Sequence, residues 1–306
     1  MTWSLFVSLL AATVLAGTPL LYATLGEIIT ERSGVLNLGV EGMMIMGAFF
    51  AFIVELKFGN PWLSVLAAGL GVALIGILHG VVCLIFQGNQ TVSGLALTIF
   101  GLGLSDYLGT PYVGVMTVGF QPVHIPFLKE LPLLGPVFFQ HNILVYISFF
   151  LPPLLWYFFN RTSTGLALCA SGEYPEAVSA AGIDPVNMRW LGILAGAFLI
   201  GVGGAYLSLC ATHLWTYNLT AGKGWIAVAL VIFAFWRPGR AMLGAYLFGG
   251  IMALQLRLQA LGVNVPSSLM LMLPYTMTIL ALLWASGRGK GRNAPANLGE
   301  NIEPRD

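Results

Sequence analysis

The sequence predicts an all-α, polytopic membrane protein of about 8–10 transmembrane helices, some of them broken or re-entrant. Of its 306 residues, 58% are hydrophobic and 8% are charged, whereas a soluble domain has about 25% charged residues. The mean hydropathy is +0.86. Each of four segments without any charged side chain is long enough for a helix of about 20 residues that crosses a bilayer. They are the residues before Glu27 and those between Lys57 and Asp106, Glu130 and Arg161, and Arg257 and Arg288.

The same counts exclude several classes of protein. The 13 Lys and Arg against 12 Asp and Glu leave no basic surplus for a nucleic-acid partner. The composition also excludes a soluble enzyme and a disordered chain. Cys83, Cys169 and Cys210 stand singly, and the four histidines are scattered, so neither a disulfide framework nor a metal site is predicted.

Apolar runs between charges and Gly or Pro residues predict helices near residues 3–26, 36–55, 62–86, 91–109, 142–159, 188–211, 224–236, 240–260 and 267–286. The first run has no basic residue ahead of it and is longer than the apolar core of a signal peptide, so we interpret it as a retained transmembrane helix. Residues 1–286 would then form one transmembrane domain with a cytoplasmic loop at 160–188, and residues 287–306 a polar cytoplasmic tail.

The positive-inside rule gives an orientation to these helices. With Arg288, Lys290 and Arg292 of the tail in the cytoplasm, alternation of the helices places most basic residues on the same side and the N-terminus outside. The residues inside are then Arg32, Arg161, Arg189, Arg237 and Arg240, and those outside are Lys57, Lys129, Lys223 and Arg257.

Two segments do not fit a simple crossing. Residues 88–110 are interrupted by glycines and small polar residues, and residues 224–236 give a run of about 13 before Arg237-Pro238-Gly239. Broken helices at membrane depth point to a translocation pathway, whereas a helix that contains glycines only for packing is the alternative. Small residues four apart, such as Gly192 and Gly196, permit close helix packing.

A polar stretch at the second helix contains Asn37 and Glu41, which lie four residues apart on one helix face. A carboxylate inside a bilayer is costly, so Glu41 should face the bundle interior and find donors there. It could line a substrate path or form a structural hydrogen-bond knot between helices, and the sequence leaves both open.

The charged loop from Arg161 to Arg189 contains a second candidate site. Pro175 suits the first position of a helix, and Gly182 suits the position after its end, so Pro175–Ala181 predicts a helix of about two turns. Its alanines would allow another protein to close tightly over it. It lacks the bulky apolar face and basic stripe of a lipid-binding helix, which favours a protein partner.

Four stretches together resemble a known family: ERSGVLNLGVEGMMIMGAF (31–49), GNQTVSGLALTIFGLGLS (88–105), TGLALCASGEYPEAVSAAGIDPVNMR (164–189) and GKGWIAVALVIFAFWRPGRAMLGAYLFGG (222–250). They are similar to the permease subunits of bacterial ABC importers in the branched-chain amino acid, ribose and nucleoside group. The similarity is greatest to the shorter permease of the nucleoside or simple-sugar branch, and it extends over nearly the whole chain.

The resemblance implies roles for particular residues. The substrate path would be lined by Asn37, Glu41, Asn89, Thr91, Ser93, Thr98 and Phe100. A coupling helix that docks on the ATPase would be formed by Gly172, Glu173, Tyr174, Pro175, Glu176, Ala177, Ala180 and Gly182. Family members usually have a basic residue where Cys169 stands and Asn where Tyr174 stands, so a charge contact to the ATPase is missing or relocated.

The resemblance also implies partners: a second homologous permease, giving a heterodimer, one or more ABC ATP-binding subunits, and an extracytoplasmic solute-binding protein. The chain has no G-x-x-x-x-G-K-[ST] phosphate loop, so ATP and Mg²⁺ would bind in the partner ATPase and this chain would need no cofactor. We expect a multi-pass protein of the bacterial inner membrane that imports a nucleoside, purine or simple sugar and is not itself an enzyme. The alternative is an ion-coupled secondary transporter of small neutral solutes.

Overall fold

A computed structural model of the chain describes residues 3–124, 128, 131–261, 266, 269, 272–287 and 294–302. Its helices are α1 (Trp3–Arg32), α2 (Val40–Phe58), α3 (Pro61–Gly80), α4 (Gln90–Gly109), α5 (Leu134–Phe138), α6 (Ile143–Arg161), α7 (Ser163–Glu173), α8 (Pro175–Ala180), α9 (Pro185–Tyr206), α10 (Lys223–Ala234), α11 (Pro238–Ala260) and α12 (Leu273–Gly287). π-helical turns extend α3 over Val81–Ile85 and α9 over Leu207–Ala211. Two short antiparallel strands, β1 (Val123–His124) and β2 (Gln140–His141), pair with each other.

The all-α membrane fold is confirmed. Among the described residues, six helices are long and apolar enough to cross a membrane, namely α1, α3, α4, α6, α9 and α11. Helix α2 has 19 residues but carries Glu41, Glu55 and Lys57. The expected positions of Lys129, Arg288, Lys290 and Arg292 lie outside the described residues.

Helix α9 lies at the centre of the bundle and packs against α1, α2 and α3. In its most apolar 18-residue window, 72% of the residues are buried, against 33–44% in the other five spans. The close approach of α9 to α1 and α2 depends on glycine. A Cβ at Gly26 of α1 would meet Gly196 O at 2.5 Å, and one at Gly47 of α2 would meet Gly201 Cα at 2.7 Å. Small residues at a membrane helix interface permit this backbone contact.

The expectation that residues 88–110 are broken is wrong. Helix α4 runs without interruption from Gln90 to Gly109. Its glycines serve packing instead: a Cβ at Gly94 would meet Leu38 Cα at 3.0 Å, and one at Gly101 would meet Gly42 Cα at 2.6 Å. The packing alternative therefore applies to this segment.

The prediction of a short segment at 224–236 is confirmed. Helix α10 has 12 residues, which is a length of about 18 Å against about 30 Å for the hydrocarbon core of a bilayer. Residue Gly222, directly before it, has φ +79°, a conformation that glycine adopts without steric cost. The helix is therefore too short to cross the hydrocarbon core by itself, and a glycine turn leads into it.

Two glycines of α4 allow a matched test of backbone packing. We expect Gly101→Ala to lower the free energy of unfolding by about 1–3 kcal/mol, because the new methyl overlaps the α2 backbone. Gly103 has nothing within 4 Å of its Cβ position, so Gly103→Ala should be neutral or stabilising by up to about 1 kcal/mol. Thermal unfolding in detergent measures both, and equal unfolding temperatures would contradict the packing of α4 on α2.

Candidate functional site

The start of α10 is held by the carboxylate of Glu41 from the first turn of α2. Glu41 Oε1 accepts hydrogen bonds from the Thr220 hydroxyl at 2.5 Å and from Gly222 N–H at 2.9 Å, and Oε2 accepts from Gly224 N–H at 2.6 Å. The first N–H groups of a helix have no acceptor within it, and negative charge is favoured there by the helix dipole. Glu41 is buried, so its contacts favour the structural-knot interpretation.

Asn37 closes the loop that leads from α1 into α2. Its side-chain amide donates to Glu27 Oε2 at 3.2 Å and its backbone N–H donates to Glu27 Oε1 at 3.3 Å. Its own Oδ1 accepts from Gly39 N–H at 2.9 Å. Both Asn37 and Glu27 are buried. The loop is therefore anchored to a carboxylate inside the bundle.

Two buried acidic residues, Glu27 and Glu31, have roles that the sequence analysis missed. They lie one helical turn apart on α1, and Glu31 Oε2 accepts the Trp236 indole N–H at 2.5 Å. Trp236 follows Phe235 in the turn between α10 and α11, and both have positive φ. This bond fixes a turn that bulky residues rarely adopt. The i, i+4 spacing of the two glutamates was a signal, but the first helix was predicted to end before them.

The exposed side of α4 carries several candidates for the substrate path. Asn89 and Thr91 are exposed, Phe100 is 46% exposed and Ser93 is half-buried. Asn89 also caps the helix, since its Oδ1 accepts from Val92 N–H at 3.0 Å. Thr98 is different, because it is buried and donates to Leu38 O at 2.9 Å.

A groove of about 450 Å³ lies between the end of α3 and the start of α4. Asn89, Ser93 and Phe100 line it, together with His79, whose ring contacts Ser93 Oγ at 2.9 Å and Leu36 O at 3.2 Å. None of the lining residues is Asp, Glu, Lys or Arg in the described part of the chain. The groove can offer apolar surface and a few neutral polar groups to a solute.

The predicted coupling segment forms a short helix, α8. Pro175 and Val178 are buried and fix it to the bundle, and Gly182, with φ +79°, follows its end as predicted. Gly172 is buried at the end of α7, where a Cβ would meet Gly34 N at 2.8 Å. The other predicted residues present an exposed surface: Glu173, Tyr174, Glu176, Ala177 and Ala180.

A basic group does lie beside Cys169. Arg32 at the end of α1 donates to Cys169 Sγ at 3.6 Å and stacks over the Phe159 ring, with its guanidinium carbon 4.8 Å from the ring centroid. Burial raises the pKa of the Cys169 thiol above its ordinary value, so the thiol is neutral and accepts from the guanidinium. The Arg32 guanidinium of α1 therefore places a positive charge next to position 169.

The contacts of Glu41 lead to a test that separates structure from transport. Glu41→Ala leaves two backbone N–H groups without an acceptor, which should lower the free energy of unfolding by about 2–5 kcal/mol. Thr91→Ala, on the exposed side of α4, should leave the unfolding temperature unchanged. Thermal unfolding in detergent measures both variants. Loss of uptake by Glu41→Ala at an unchanged unfolding temperature would instead assign Glu41 to the path.

Comparison with known proteins identifies the family. A family model described as the permease component of branched-chain amino acid transport systems matches residues 9–282. A Haloferax volcanii protein, provisionally named glucose ABC transporter permease TsgC13, is 43% identical over 84% of this chain and 80% of its own length.

Two further relatives cover almost the whole chain. The guanosine ABC transporter permease NupQ of Bacillus subtilis is 34% identical over 92% of this chain and 93% of its own length. The nucleoside ABC transporter permease NupC of Lactococcus lactis is 33% identical over 92% of both. With its apolar helices, the chain is a multi-pass protein of the plasma membrane. It belongs to the permease-component family of branched-chain amino acid transport systems and is an ABC transporter permease.

Proposed function

We propose that this chain forms half of the path through which an ABC importer moves a nucleoside, with a purine or simple sugar as the next candidates. The observation that carries the substrate class is the absence of charged side chains from the groove lining described above, together with relatives named for guanosine, nucleosides and glucose. A neutral, weakly polar surface suits such solutes, since an anion or cation would require a charged partner.

The partners are a second permease, ABC ATP-binding subunits that hold ATP and Mg²⁺, and an extracytoplasmic solute-binding protein. We place the second permease against the exposed side of α4, where Val92 is 63% exposed and Ile99 is 73% exposed, close to the path candidates. Two such chains facing each other would enclose a path between them. The chain itself contributes no catalytic residue.

The alternative, an ion-coupled secondary transporter, would use paired carboxylates inside the membrane. Glu27 and Glu31 are such a pair, but Asn37 and Trp236 already donate to their oxygens. This supports a structural role for the pair, because a carboxylate that carries ions must exchange its partners.

Reconstitution of the complete transporter tests the proposal. Vesicles that contain the two permeases, the ATPases and the binding protein should take up guanosine only with ATP, and solute-loaded binding protein should stimulate hydrolysis. Parallel assays with purine bases and glucose rank the solute classes. Uptake that needs no ATPase and is abolished by an ionophore would establish the alternative instead.

The exposed face of α8 allows a second prediction. A bulky Ala177→Trp side chain should prevent a partner from closing over the helix, and overpacking of about 1–3 kcal/mol should weaken ATPase association by about tenfold. Leu247→Trp, at an exposed position of α11, is the matched control. Co-purification of the ATPase with each variant measures the effect, and retention by Ala177→Trp would remove α8 from the interface.

A further inference from the structure

The tail residues 294–302, here called the tail strap, bind back across the side of the bundle that carries α7 and α8. Pro295–Leu298 forms a turn, and the side chains of Ala294 and Leu298 pack against the apolar cluster that includes Leu168 and Trp236. A polar cytoplasmic tail was predicted here. The observed segment is part of the fold.

One half of the strap is bonded to the coupling segment. Asn297 N–H donates to Gly172 O at 2.8 Å, and Ala296 N–H donates to the Glu173 carboxylate at 3.1 Å. Both acceptors lie at the end of α7, directly before α8. The strap is therefore attached where the coupling helix leaves the bundle.

The other half is bonded to the segments that begin α2 and α4. Gly299 N–H donates to Gly34 O at 3.0 Å, and the Asn301 side chain donates to Gln87 O at 2.6 Å. The Gln90 side chain donates to Glu300 O at 3.4 Å, and its own oxygen accepts from Leu36 N–H at 2.8 Å. These contacts lie beside Asn89 and the groove.

Arg189, near the start of α9, anchors the strap through its guanidinium group. Its guanidinium donates to Glu300 O at 2.6 Å and to Asn297 Oδ1 at 2.5 Å, and the residue is 0% exposed. Among the described residues, both of its hydrogen bonds go to the strap. A buried charge is costly unless it is hydrogen-bonded. The docked strap therefore offsets part of the cost of burying Arg189, whose Nε has no hydrogen-bond partner among the described residues.

The strap also bridges a gap. Helix α8 faces the π-helical end of α3 across a cavity of about 810 Å³, and strap residues 297 and 300–302 form part of its wall. The gap leaves α8 room to shift relative to α3. The strap is a connection that spans from the α8 side to the start of α4.

We infer that the tail strap is a positioning segment, anchored by Arg189 and Asn297, which makes a displacement of α8 move the start of α4 and the 34–36 loop. This inference rests on the proposed role of α8 as the coupling helix. Asn297 and Arg189 contact no solute in this scheme. They act through the strap on the helix that carries the path candidates.

The experiment measures uptake and ATP hydrolysis in the complete reconstituted transporter, with guanosine as the solute and thermal unfolding recorded for each variant. Asn297→Ala removes an acceptor of the buried guanidinium, and loss of a hydrogen bond to a charged group weakens an interaction by about 10- to 100-fold. We expect the solute transported per ATP hydrolysed to fall by about fivefold or more. Deletion of residues 294–306 should give at least the same loss.

Two matched variants define the controls. Asn297→Asp keeps the acceptor for Arg189 and should retain the wild-type ratio. Glu300→Ala should also retain it, because the Glu300 backbone carbonyl, and not its exposed side chain, accepts from Arg189.

The outcomes separate this inference from the proposed function. If Asn297→Ala and the deletion both leave the solute transported per ATP hydrolysed unchanged, the strap inference is overturned, while the proposed transport function is unaffected. If uptake, hydrolysis and the unfolding temperature fall together while the solute transported per ATP hydrolysed stays unchanged, the tail has a purely structural role. That outcome also overturns the strap inference. A wild-type complex without ATP-driven uptake refutes the proposed function, and the strap inference with it.

Discussion

A helix whose first turn is partly buried presents N–H groups that its own carbonyls cannot satisfy. In this protein α10 is such a helix, and Glu41 of α2 supplies the acceptor oxygens. The interaction joins the start of one helix to the start of another. The loop before α2 is in turn bonded to Glu27 of α1 through Asn37, so α1, α2 and α10 meet around this polar junction.

Around the junction, the bundle is held by close contact rather than by large side chains. The faces of α9, α2 and α4 meet through glycine against backbone, which makes the helices rigid neighbours with little room for independent movement. The α7 and α8 side combines one such contact, at Gly172, with a cavity and with hydrogen bonds to the tail strap. Hydrogen bonds beside a cavity are easier to rearrange than packed backbone. This contrast concentrates conformational freedom where an ATPase would act.

Much of the fold could be predicted from the sequence because the signals were local. Apolar length located the spans, and the short run before Arg237 indicated a helix that could not cross. Pro175 and Gly182 marked the two ends of α8. The predictions failed where local composition was ambiguous. Glycines in residues 88–110 suggested a break, but they fit against Leu38 and Gly42, residues distant enough in sequence that no local pattern indicates them.

The candidate site was predicted in part, for the same reason. The sequence by itself determined that this chain lies in a membrane, has few charged residues and carries a short exposed helix. These properties follow from hydropathy, charge spacing and capping residues. Only the tertiary structure decided that Glu41 caps α10, that Glu27 and Glu31 are buried, and that the tail supplies the acceptors of Arg189. The hydrogen bonds of these buried groups join residues between 10 and 205 positions apart in sequence. Burial makes such pairing necessary, because an unpaired polar group inside the protein is costly.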